Sequence, residues 1–318
     1  MKKNIAYLEV IMIWSTTPLA IKWSSEGVEY LMALSARIAL GLVGACVILL
    51  ILRQLPPVNR QAVKTYLTSG FSIYFAMMGV YWASQHIPSG WISVIFGLSP
   101  IMTGVLAALI LHEWSITIMR LVGMMLGIIG LIIIFGDGYS SGGELFEGIL
   151  VVLGSTLVHS LSSVLVKSFN ARLSGFSASA GGLAFAMPLF IVTCICSGVS
   201  IPQSVPDRAL ISILYLGIIA STFGFALYYY VLSHMDVGQV SLIPLITPVS
   251  ALLLGNLLND EPISITIMMG AGFITAGLLF YQFGQNLLQR LLDTDKSDYH
   301  FPLIGLSGIR WRGRGIRR

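Results

Sequence analysis

Charged side chains are scarce in this chain. Asp, Glu, Lys and Arg together make up 10% of its 318 residues, whereas soluble domains carry about 25%. So few charges cannot cover a surface that faces mostly water, which excludes an ordinary soluble domain. Hydrophobic residues make up 56%, and they recur in runs of roughly 20 that are long enough to cross a hydrocarbon core of ~30 Å as helix. The sequence therefore predicts an all-α integral membrane protein.

Other chemistry is missing as well. The three cysteines lie in apolar runs without the spacing of metal ligands or of a disulfide framework. No regular alternation of apolar and polar residues marks a transmembrane β-barrel. The absence of a nucleotide-binding motif, and of carboxylate or histidine clusters at a membrane face, argues against ATP coupling, a metal, a cofactor and an enzyme. The net charge of +4 comes mainly from the last residues and predicts no nucleic-acid partner.

About ten apolar runs are separated by short segments of turn-forming residues. The predicted spans cover approximately 5–23, 30–52, 66–85, 90–111, 118–136, 146–168, 177–198, 208–232, 238–258 and 264–284. A polar segment follows Gln285, and the chain ends on the basic sequence GIRWRGRGIRR.

Lysine and arginine placement predicts the orientation, because both are enriched in the cytoplasmic segments of membrane proteins. With a cytoplasmic N-terminus, the cytoplasmic segments hold fifteen of the eighteen Lys and Arg residues. The outer segments then hold only Lys22 and Arg208, and Arg37 lies inside the second span. Both termini are cytoplasmic in this arrangement, as an even number of spans requires. We therefore expect a multi-pass protein of the cell inner membrane.

The two halves of the chain repeat each other. LSPIMTGVLAALILHE (98–113) corresponds to ITPVSALLLGNLLNDE (246–261). The corresponding residues are Pro100 and Pro248, Glu113 and Glu261, His86 and His234, and Tyr81 and Tyr229, all 148 residues apart, and Lys22 and Lys167, 145 residues apart. The alternative is two halves that share only the composition common to membrane helices.

A repeat of five spans has a topological consequence. Because five is odd, the second copy enters the membrane upside down, which gives ten transmembrane helices in two inverted five-helix repeats. We predict a first repeat over 1–137 (spans one to five), an inverted second repeat over 145–285 (spans six to ten) and a cytoplasmic basic tail over 286–318. Such repeats are typical of secondary transporters.

Two patterns resemble a known family. WSTTPLAIKW (14–23) and the Pro-to-Glu pattern of the fourth and ninth spans, within ten spans in two halves, are similar to the EamA type of the drug/metabolite transporter superfamily. The resemblance covers residues 5–284. It implies a ten-helix bundle whose central cavity is lined mainly by helices one, three, four, six, eight and nine. It also implies export or exchange of small metabolites, often amino acids, without ATP.

This chain departs from the family pattern in its sixth and seventh spans. His159 stands where the first span has its tryptophan, and Ser163 stands where it has its proline. Gly182 of the seventh span stands opposite Arg37. The cavity should therefore be chemically asymmetric.

Prolines, aromatic residues and hydroxyls are candidates for the cavity wall. A proline inside a span leaves the carbonyl one turn earlier without its donor, which is tolerated beside protein or cavity water; the alternative is a packing kink. Aromatic residues, and the hydroxyl-rich surroundings of His159, suit an amphipathic substrate; the alternatives are an interfacial belt, helix packing and, for His159, proton coupling. The predicted cavity residues are Trp14, Pro18, Tyr74, Tyr81, Phe96, Pro100, His159, Ser163, Phe225, Tyr229 and Pro248.

Six ionisable residues are candidates for gates or for energy coupling. They are Glu9, Lys22, Arg37, Glu113, Lys167 and Glu261. An acid at the C-terminal end of a helix opposes the helix dipole, so Glu113 and Glu261 should each have a lysine or a backbone N–H of a neighbouring loop as partner. The inverted topology pairs Lys22 with Glu261 at the outer face and Lys167 with Glu113 at the inner face. The alternative is that all four snorkel independently at the interface.

Three further expectations concern these charges. A double charge swap of Lys22 and Glu261 should restore transport that either single swap removes. Glu9 either carries a coupling proton or lies at the interface. Arg37 either meets an anionic substrate group or forms a structural salt bridge or backbone clamp, since a charge at the bilayer centre costs about 2.5–3.5 kcal/mol on insertion scales.

These observations predict a secondary transporter that exports or exchanges small metabolites, amino acids or related amphiphiles, by alternating access. The alternatives are an importer of another substrate class and a structural or channel-like membrane protein. GMMLG (123–127) and the glycines of the tenth span predict close packing of helices five and ten, as scaffold or as a dimer surface. The predicted partners are a small-molecule metabolite and membrane lipids, in a monomer or homodimer.

Overall fold

The structure is a computed structural model that describes residues 2–112, 117–141, 143–169, 171, 173–200, 202, 204–224, 227, 231 and 243–297. Its α-helices are α1 (Lys2–Ser24), α2 (Tyr30–Ile51), α3 (Arg60–Ala83), α4 (Ser89–Phe96), α5 (Ser99–Leu111), α6 (Ile118–Ser141), α7 (Gly143–Phe169), α8 (Gly175–Cys196), α9 (Asp207–Leu214), α10 (Ile243–Asn259) and α11 (Ile265–Ser297). A π-helix, Tyr215–Phe223, continues α9 directly. The described part of the chain is all-helical, as predicted.

In the described part of the chain, seven helical segments are long and apolar enough to cross a membrane. They are Asn4–Ser24, Tyr30–Ile51, Ser89–Leu111, Ile118–Gly136, Gly143–Phe169, Gly175–Cys196 and Ile265–Gln285, and Ile243–Asn259 is a shorter apolar helix. Large apolar side chains such as Leu50, Leu257 and Ile265 are more than 70% exposed. An apolar outer surface of this kind suits contact with lipid tails.

The predicted span 90–111 is two helices. α4 ends at Phe96 and α5 begins at Ser99, with a tight turn in which Leu98 N donates to the Ile95 carbonyl at 3.0 Å. Pro100 lies in the first turn of α5, where a missing N–H removes no helical hydrogen bond. The carbonyl of Phe96, one turn before Pro100, therefore lacks its usual helical donor. From the sequence, Pro100 was identified as a helix breaker, but the break between α4 and α5 was not predicted.

α6 and α11 form the closest helix pair. A side chain on Gly277 would begin 2.6 Å from the Gly123 carbonyl oxygen and 2.9 Å from the Gly127 nitrogen. Gly130 and Gly270 face each other in the same way, since a Cβ on Gly130 would lie 2.6 Å from the Gly270 carbonyl. These glycines let the two backbones touch. Within the described structure, helices five and ten of the sequence prediction thus pack against each other.

The remaining helices surround a central space. α1 packs on α10, α7 packs on α3 and α5, and α2 packs on α8 and on the π-helix. The π-helix brings Ser221 and Thr222 against α2, where Thr222 Oγ1 donates to the Gly41 carbonyl at 3.4 Å. A Cβ on Gly41 would lie 3.0 Å from the Cβ of Ser221. The contact at Gly41 consequently fixes Ser221 of the π-helix against α2, one helical turn from Arg37.

Two helix ends have the same backbone geometry in both halves. After α2 the bonds are Leu52 N to Ile48 O, Arg53 N to Leu50 O and Gln54 N to Leu49 O; after α8 they are Ser197 N to Thr193 O, Gly198 N to Ile195 O and Val199 N to Cys194 O. Every atom pair is displaced by 145 residues. His112 and Asp260, 148 residues apart, both take positive φ after α5 and α10, at 56° and 50°. These offsets equal those of the sequence repeat.

Candidate functional site

Two adjacent chambers that share part of their walls lie among the described helices. The wide chamber, about 550 Å³, extends to Arg120 and Lys167 at one end of the bundle, and the narrow chamber, about 240 Å³, extends to Arg37. Both have Trp14, Ser99, His159 and Pro244 in their walls. The walls come from α1, α3, α4, α5, α7, the π-helix and α10, which correspond to the helices that the family resemblance implies, and also from α2, α6 and α11.

His159 lies where the two chambers meet. Its side chain is exposed to the cavity, and its ring centroid is 6.1 Å from that of Phe96. Ser163, one turn further along α7, also lines the wide chamber and donates to the His159 carbonyl at 2.9 Å. The other hydroxyls around His159 are mostly buried: Ser155 and Thr156 bond to carbonyls of their own helix. Only a small part of the hydroxyl-rich segment therefore faces the chambers.

Most of the predicted proline and aromatic positions in the first half line the chambers. Trp14 and Pro18 of α1, Phe96 of α4 and Pro100 of α5 are wall residues. Pro248 is not among the wall residues, because it packs on Gly97 at the break between α4 and α5. Its place in the wall is taken by Pro244, one helical turn earlier, which is not among the predicted cavity residues.

Tyr74 and Tyr81 lie outside the chambers. The Tyr74 hydroxyl is 2.6 Å from Thr193 Oγ1, and its ring packs against Phe190, so it joins α3 to α8. Tyr81 is fully buried under the guanidinium of Arg37, with its ring centroid 5.9 Å from Arg37 Cζ. Their assignment to the cavity wall is corrected accordingly, because in the described structure both rings point into helix interfaces.

Tyr74→Phe tests this correction. We expect unchanged apparent substrate affinity and a loss of about 0.5–1.5 kcal/mol in the free energy of unfolding, the usual value of one hydrogen bond. Unfolding in mixed detergent micelles and substrate exchange in proteoliposomes measure the two quantities. An altered affinity with an intact fold would return Tyr74 to the substrate site.

Several polar residues of the chamber walls were not predicted, because the sequence around them has no distinctive pattern. Thr17, Ser93, Ser99, Thr103 and Thr247 line one or both chambers. Ser93, Ser99, Thr103 and Thr247 are isolated hydroxyls in apolar runs, and Thr17 is the last of three consecutive hydroxyl residues. Only helix packing decides whether each of them faces the cavity or a neighbouring helix.

Glu261 closes one end of the bundle. It is 6% exposed and lies after the C-terminal end of α10. Its Oε2 accepts from Ser89 N at 2.8 Å, Ser89 Oγ at 2.9 Å and Gly90 N at 3.4 Å. The carboxylate thus caps the N-terminus of α4, where unpaired N–H groups and the helix dipole favour a negative charge.

Lys22 and Asn259 complete this contact. Lys22 Nζ lies 3.7 Å from Glu261 Oε1 and donates to the Ile87 carbonyl at 3.3 Å, while Asn259 Nδ2 donates to Oε1 at 3.0 Å. We call Glu261, Ser89, Gly90, Lys22 and Asn259 the Glu261 latch. The sequence named both kinds of partner, a lysine and a loop N–H. It did not show that the backbone of α4 holds the carboxylate more closely than the lysine does.

The latch lies directly over the narrow chamber. Ile21 and Ile92 line that chamber, one residue before Lys22 and three residues after Ser89. Outside the latch, Trp23 Nε1 donates to Asn259 Oδ1 at 2.9 Å. The described contacts therefore hold this end of the bundle closed.

The other candidate charges lie elsewhere. Glu9 is exposed on a mostly apolar groove of about 780 Å³ between α1 and α9, outside the central chambers. Lys167 is in the wall of the wide chamber. Glu113, Phe225, Tyr229 and the tail over 298–318 lie outside the described residues. Among the residues that were placed, no group of three His, Cys, Asp or Glu side chains is arranged to hold a metal ion.

Known proteins are similar to this chain in sequence and in fold. The EamA-like transporter family matches the chain twice, over residues 2–136 and 146–282. An "Uncharacterized transporter" of Archaeoglobus fulgidus is 26% identical over 284 residues, which cover 87% of this chain and 98% of that protein. A "Probable amino-acid metabolite efflux pump" of Escherichia coli is 22% identical, and the match covers 89% of this chain and 95% of that protein. A solved crystal structure with 17% identity covers 91% of this chain and 99% of its own, with a TM-score of 0.64, which shows a shared fold.

The described helices form a multi-pass bundle of apolar helices around an amphipathic cavity, and the relatives of this chain are named as transporters. Together these findings define an integral membrane transporter. This chain belongs to the EamA-like transporter family. These matches confirm the predicted family, an integral multi-pass membrane protein and the general class of transporter. The prediction that the chain is not an enzyme is confirmed as well, because the family and its relatives are transporters.

Proposed function

We propose that this protein is a secondary transporter that exports or exchanges small metabolites, amino acids or related amphiphiles, by alternating access. The observation that carries the proposal is the pair of adjacent chambers with shared walls, closed at one end by the Glu261 latch. An alternating-access carrier needs a substrate-sized space in the membrane interior and an end that opens and closes. The combined walls contain apolar rings, hydroxyls and few charges, which suits an amphipathic molecule.

The repeat supports the mechanism. We infer ten transmembrane helices in two inverted five-helix repeats, over 1–137 and 145–285, with α4 and α5 together as one span and α9 with the π-helix in another. The paired helix ends, displaced by 145 and 148 residues, support the repeat because unrelated halves would not share hydrogen-bond registers. Two inverted halves produce two related conformations that open to opposite sides around one site.

The proposed orientation follows from the positive charges. Both termini are cytoplasmic, in the inner membrane, because fifteen of the eighteen Lys and Arg residues then lie on the cytoplasmic side. The Glu261 latch is consequently the outer gate. By the sequence repeat, we propose that Glu113 and Lys167 are the residues of the corresponding inner gate; of the two, Lys167 lies in the wall of the wide chamber.

Counterflow exchange in proteoliposomes tests the proposal. Vesicles are loaded with one unlabelled amino acid, and uptake of the labelled compound is measured for L-leucine, L-phenylalanine and L-threonine. We expect saturable uptake that depends on the internal substrate. Conductance without saturation would identify a channel, and absence of any protein-dependent flux of the three compounds would contradict the proposed substrate class.

Two matched substitutions on α5 locate the pathway. Thr103 lines the wide chamber, whereas Leu109 is 57% exposed on the outside of the same helix. Thr103→Trp is expected to lower counterflow at least about tenfold by filling the chamber, since a bulky ring replaces one hydroxyl and one methyl. Leu109→Trp is the control and should leave counterflow unchanged. Equal loss in both variants would place the pathway elsewhere.

A further inference from the structure

Arg37 is a buried charge that has no counter-ion among the described residues. It lies on α2, is 7% exposed and lines the narrow chamber under the Glu261 latch. Within the described part of the chain its guanidinium makes one hydrogen bond, from Nε to Ser221 Oγ at 3.2 Å. The four N–H groups of the two terminal nitrogens have no partner there, and Nη1 is completely enclosed.

Such an arrangement is costly unless something else binds the guanidinium. Arginine stays protonated in proteins and offers five N–H donors. Burying a charge without a partner is strongly unfavourable in an apolar interior. The ion pairs among the described residues involve Lys22, His86 and Arg208, and none of them includes Arg37. The Tyr81 ring beneath the guanidinium offers only a cation–π contact at 5.9 Å.

The surroundings hold the guanidinium in one place. Ser221, which accepts from Nε, belongs to the π-helix, and that helix is fixed on α2 by the close contact at Gly41. Tyr81 supports the other side. The Nε side of the group is thus used by the protein, whereas its terminal nitrogens have no hydrogen-bond partner among the described residues. A planar guanidinium in a fixed position suits bidentate binding of a carboxylate.

We propose that Arg37 binds the carboxylate of the transported molecule. This assignment rests on the proposed transport function and names the substrate class of the same cavity: small monocarboxylates with an apolar or aromatic side chain, such as amino acids. The wall of the narrow chamber contains no second Lys or Arg. One fixed positive charge matches a monoanionic carboxylate better than a phosphate dianion.

The dimensions of the cavity fit this orientation of the substrate. The carboxylate lies in the narrow chamber at Arg37, and the rest of the molecule extends past Phe96 and His159 into the wide chamber. Because the latch lies over the narrow chamber, the bound carboxylate is just beneath the gate that has to open for release.

Counterflow with acids and their amides tests the assignment. L-leucine, L-phenylalanine and L-threonine are each compared with the corresponding amide, which has nearly the same shape but no carboxylate charge. Wild-type protein should bind the acid about 10- to 100-fold more tightly, the value of a charged hydrogen-bonded pair. Arg37→Gln should lose this preference and still carry the amide, and Arg37→Lys should retain part of it. Arg60→Gln, on an exposed arginine at the start of α3, is the control.

The outcomes separate the two proposals. If the wild-type protein carries acids and amides equally well, Arg37 is not a carboxylate site, although the transport function stands. If none of the six compounds shows saturable counterflow, the proposed function fails and this assignment fails with it. A monodisperse Arg37→Gln protein that carries neither acid nor amide would show that Arg37 is structural. Should Arg37→Gln aggregate, the acid preference of the wild type and its partial retention in Arg37→Lys decide the question.

Discussion

Glu261→Gln is expected to lower the free energy of unfolding by about 3 kcal/mol and to slow counterflow strongly. Both carboxylate oxygens accept hydrogen bonds, Oε2 from Ser89 and Gly90 and Oε1 from Asn259. In either orientation of the glutamine amide, its NH₂ group faces donors that lose their acceptor. Lys22 also loses its counter-ion. Unfolding in mixed detergent micelles and counterflow in proteoliposomes measure the two effects.

Glu26→Gln is the matched control for the Glu261 latch. Glu26 lies at the same end of the bundle, 3.5 Å from Arg208, but both side chains of this pair are more than a third exposed. Exposed pairs contribute about 0–1 kcal/mol, so unfolding and counterflow should change little. Similar losses in both variants would show that stability and counterflow depend on this end of the bundle in general, and not on the buried carboxylate.

The latch changes the expectation for a charge swap. The sequence predicted that Lys22→Glu combined with Glu261→Lys restores transport. In the structure, a lysine at position 261 would place a positive charge at the N-terminus of α4 and donate where the backbone of Ser89 and Gly90 needs an acceptor. We now expect no rescue, and a rescued double variant would contradict the cap on α4.

Gly277→Val is expected to destabilise the protein by about 2–3 kcal/mol, in the range of overpacked interiors. The new Cβ would lie 2.6 Å from the Gly123 carbonyl oxygen and 2.9 Å from the Gly127 nitrogen. Both atoms belong to the backbone of α6, so no side-chain rotation relieves the contact and the two helices have to separate. Unfolding in mixed detergent micelles and the yield of monodisperse protein are the measurements.

Gly272 on the same helix supplies the control. A Cβ at this position meets no atom within 4 Å, and the residue is exposed. Gly272→Ala should be neutral or stabilising by about 0.5–1 kcal/mol, because alanine restricts the unfolded chain more than glycine does. If Gly277→Val is as stable as Gly272→Ala, the close packing of α6 and α11 is wrong.

The sequence predicted those features that recur in both halves. The helical class follows from composition, the family from two sequence patterns, and the packing of α6 and α11 from the GMMLG motif and the glycines of the tenth span. The contact of Glu261 with Lys22 follows from the residues that correspond in the repeat. The position of a residue in the sequence repeat assigns it to a particular helix end. In a membrane bundle, the ends of neighbouring helices lie close together. A charged residue at such a place has few possible partners.

It was harder to predict whether a side chain points toward lipid, toward a neighbouring helix or into a chamber. Tyr74 and Pro248 point into helix interfaces, whereas Pro244, Ser99 and Thr247 face the chambers. In a membrane protein, lipid, neighbouring helices and cavity all tolerate apolar residues, so hydrophobic periodicity does not separate these faces. The break at Gly97 was missed for a related reason, since both of its flanks are equally apolar.

That break has a consequence for mutagenesis. The C-terminal end of α4 carries partial negative charge at Phe96, and the N-terminal end of α5 carries partial positive charge at Ser99, a few residues apart in the cavity wall. Both partial charges come from peptide groups and not from ionised side chains. Because substitutions replace side chains and leave the peptide groups in place, these partial charges should remain in side-chain variants of this cavity.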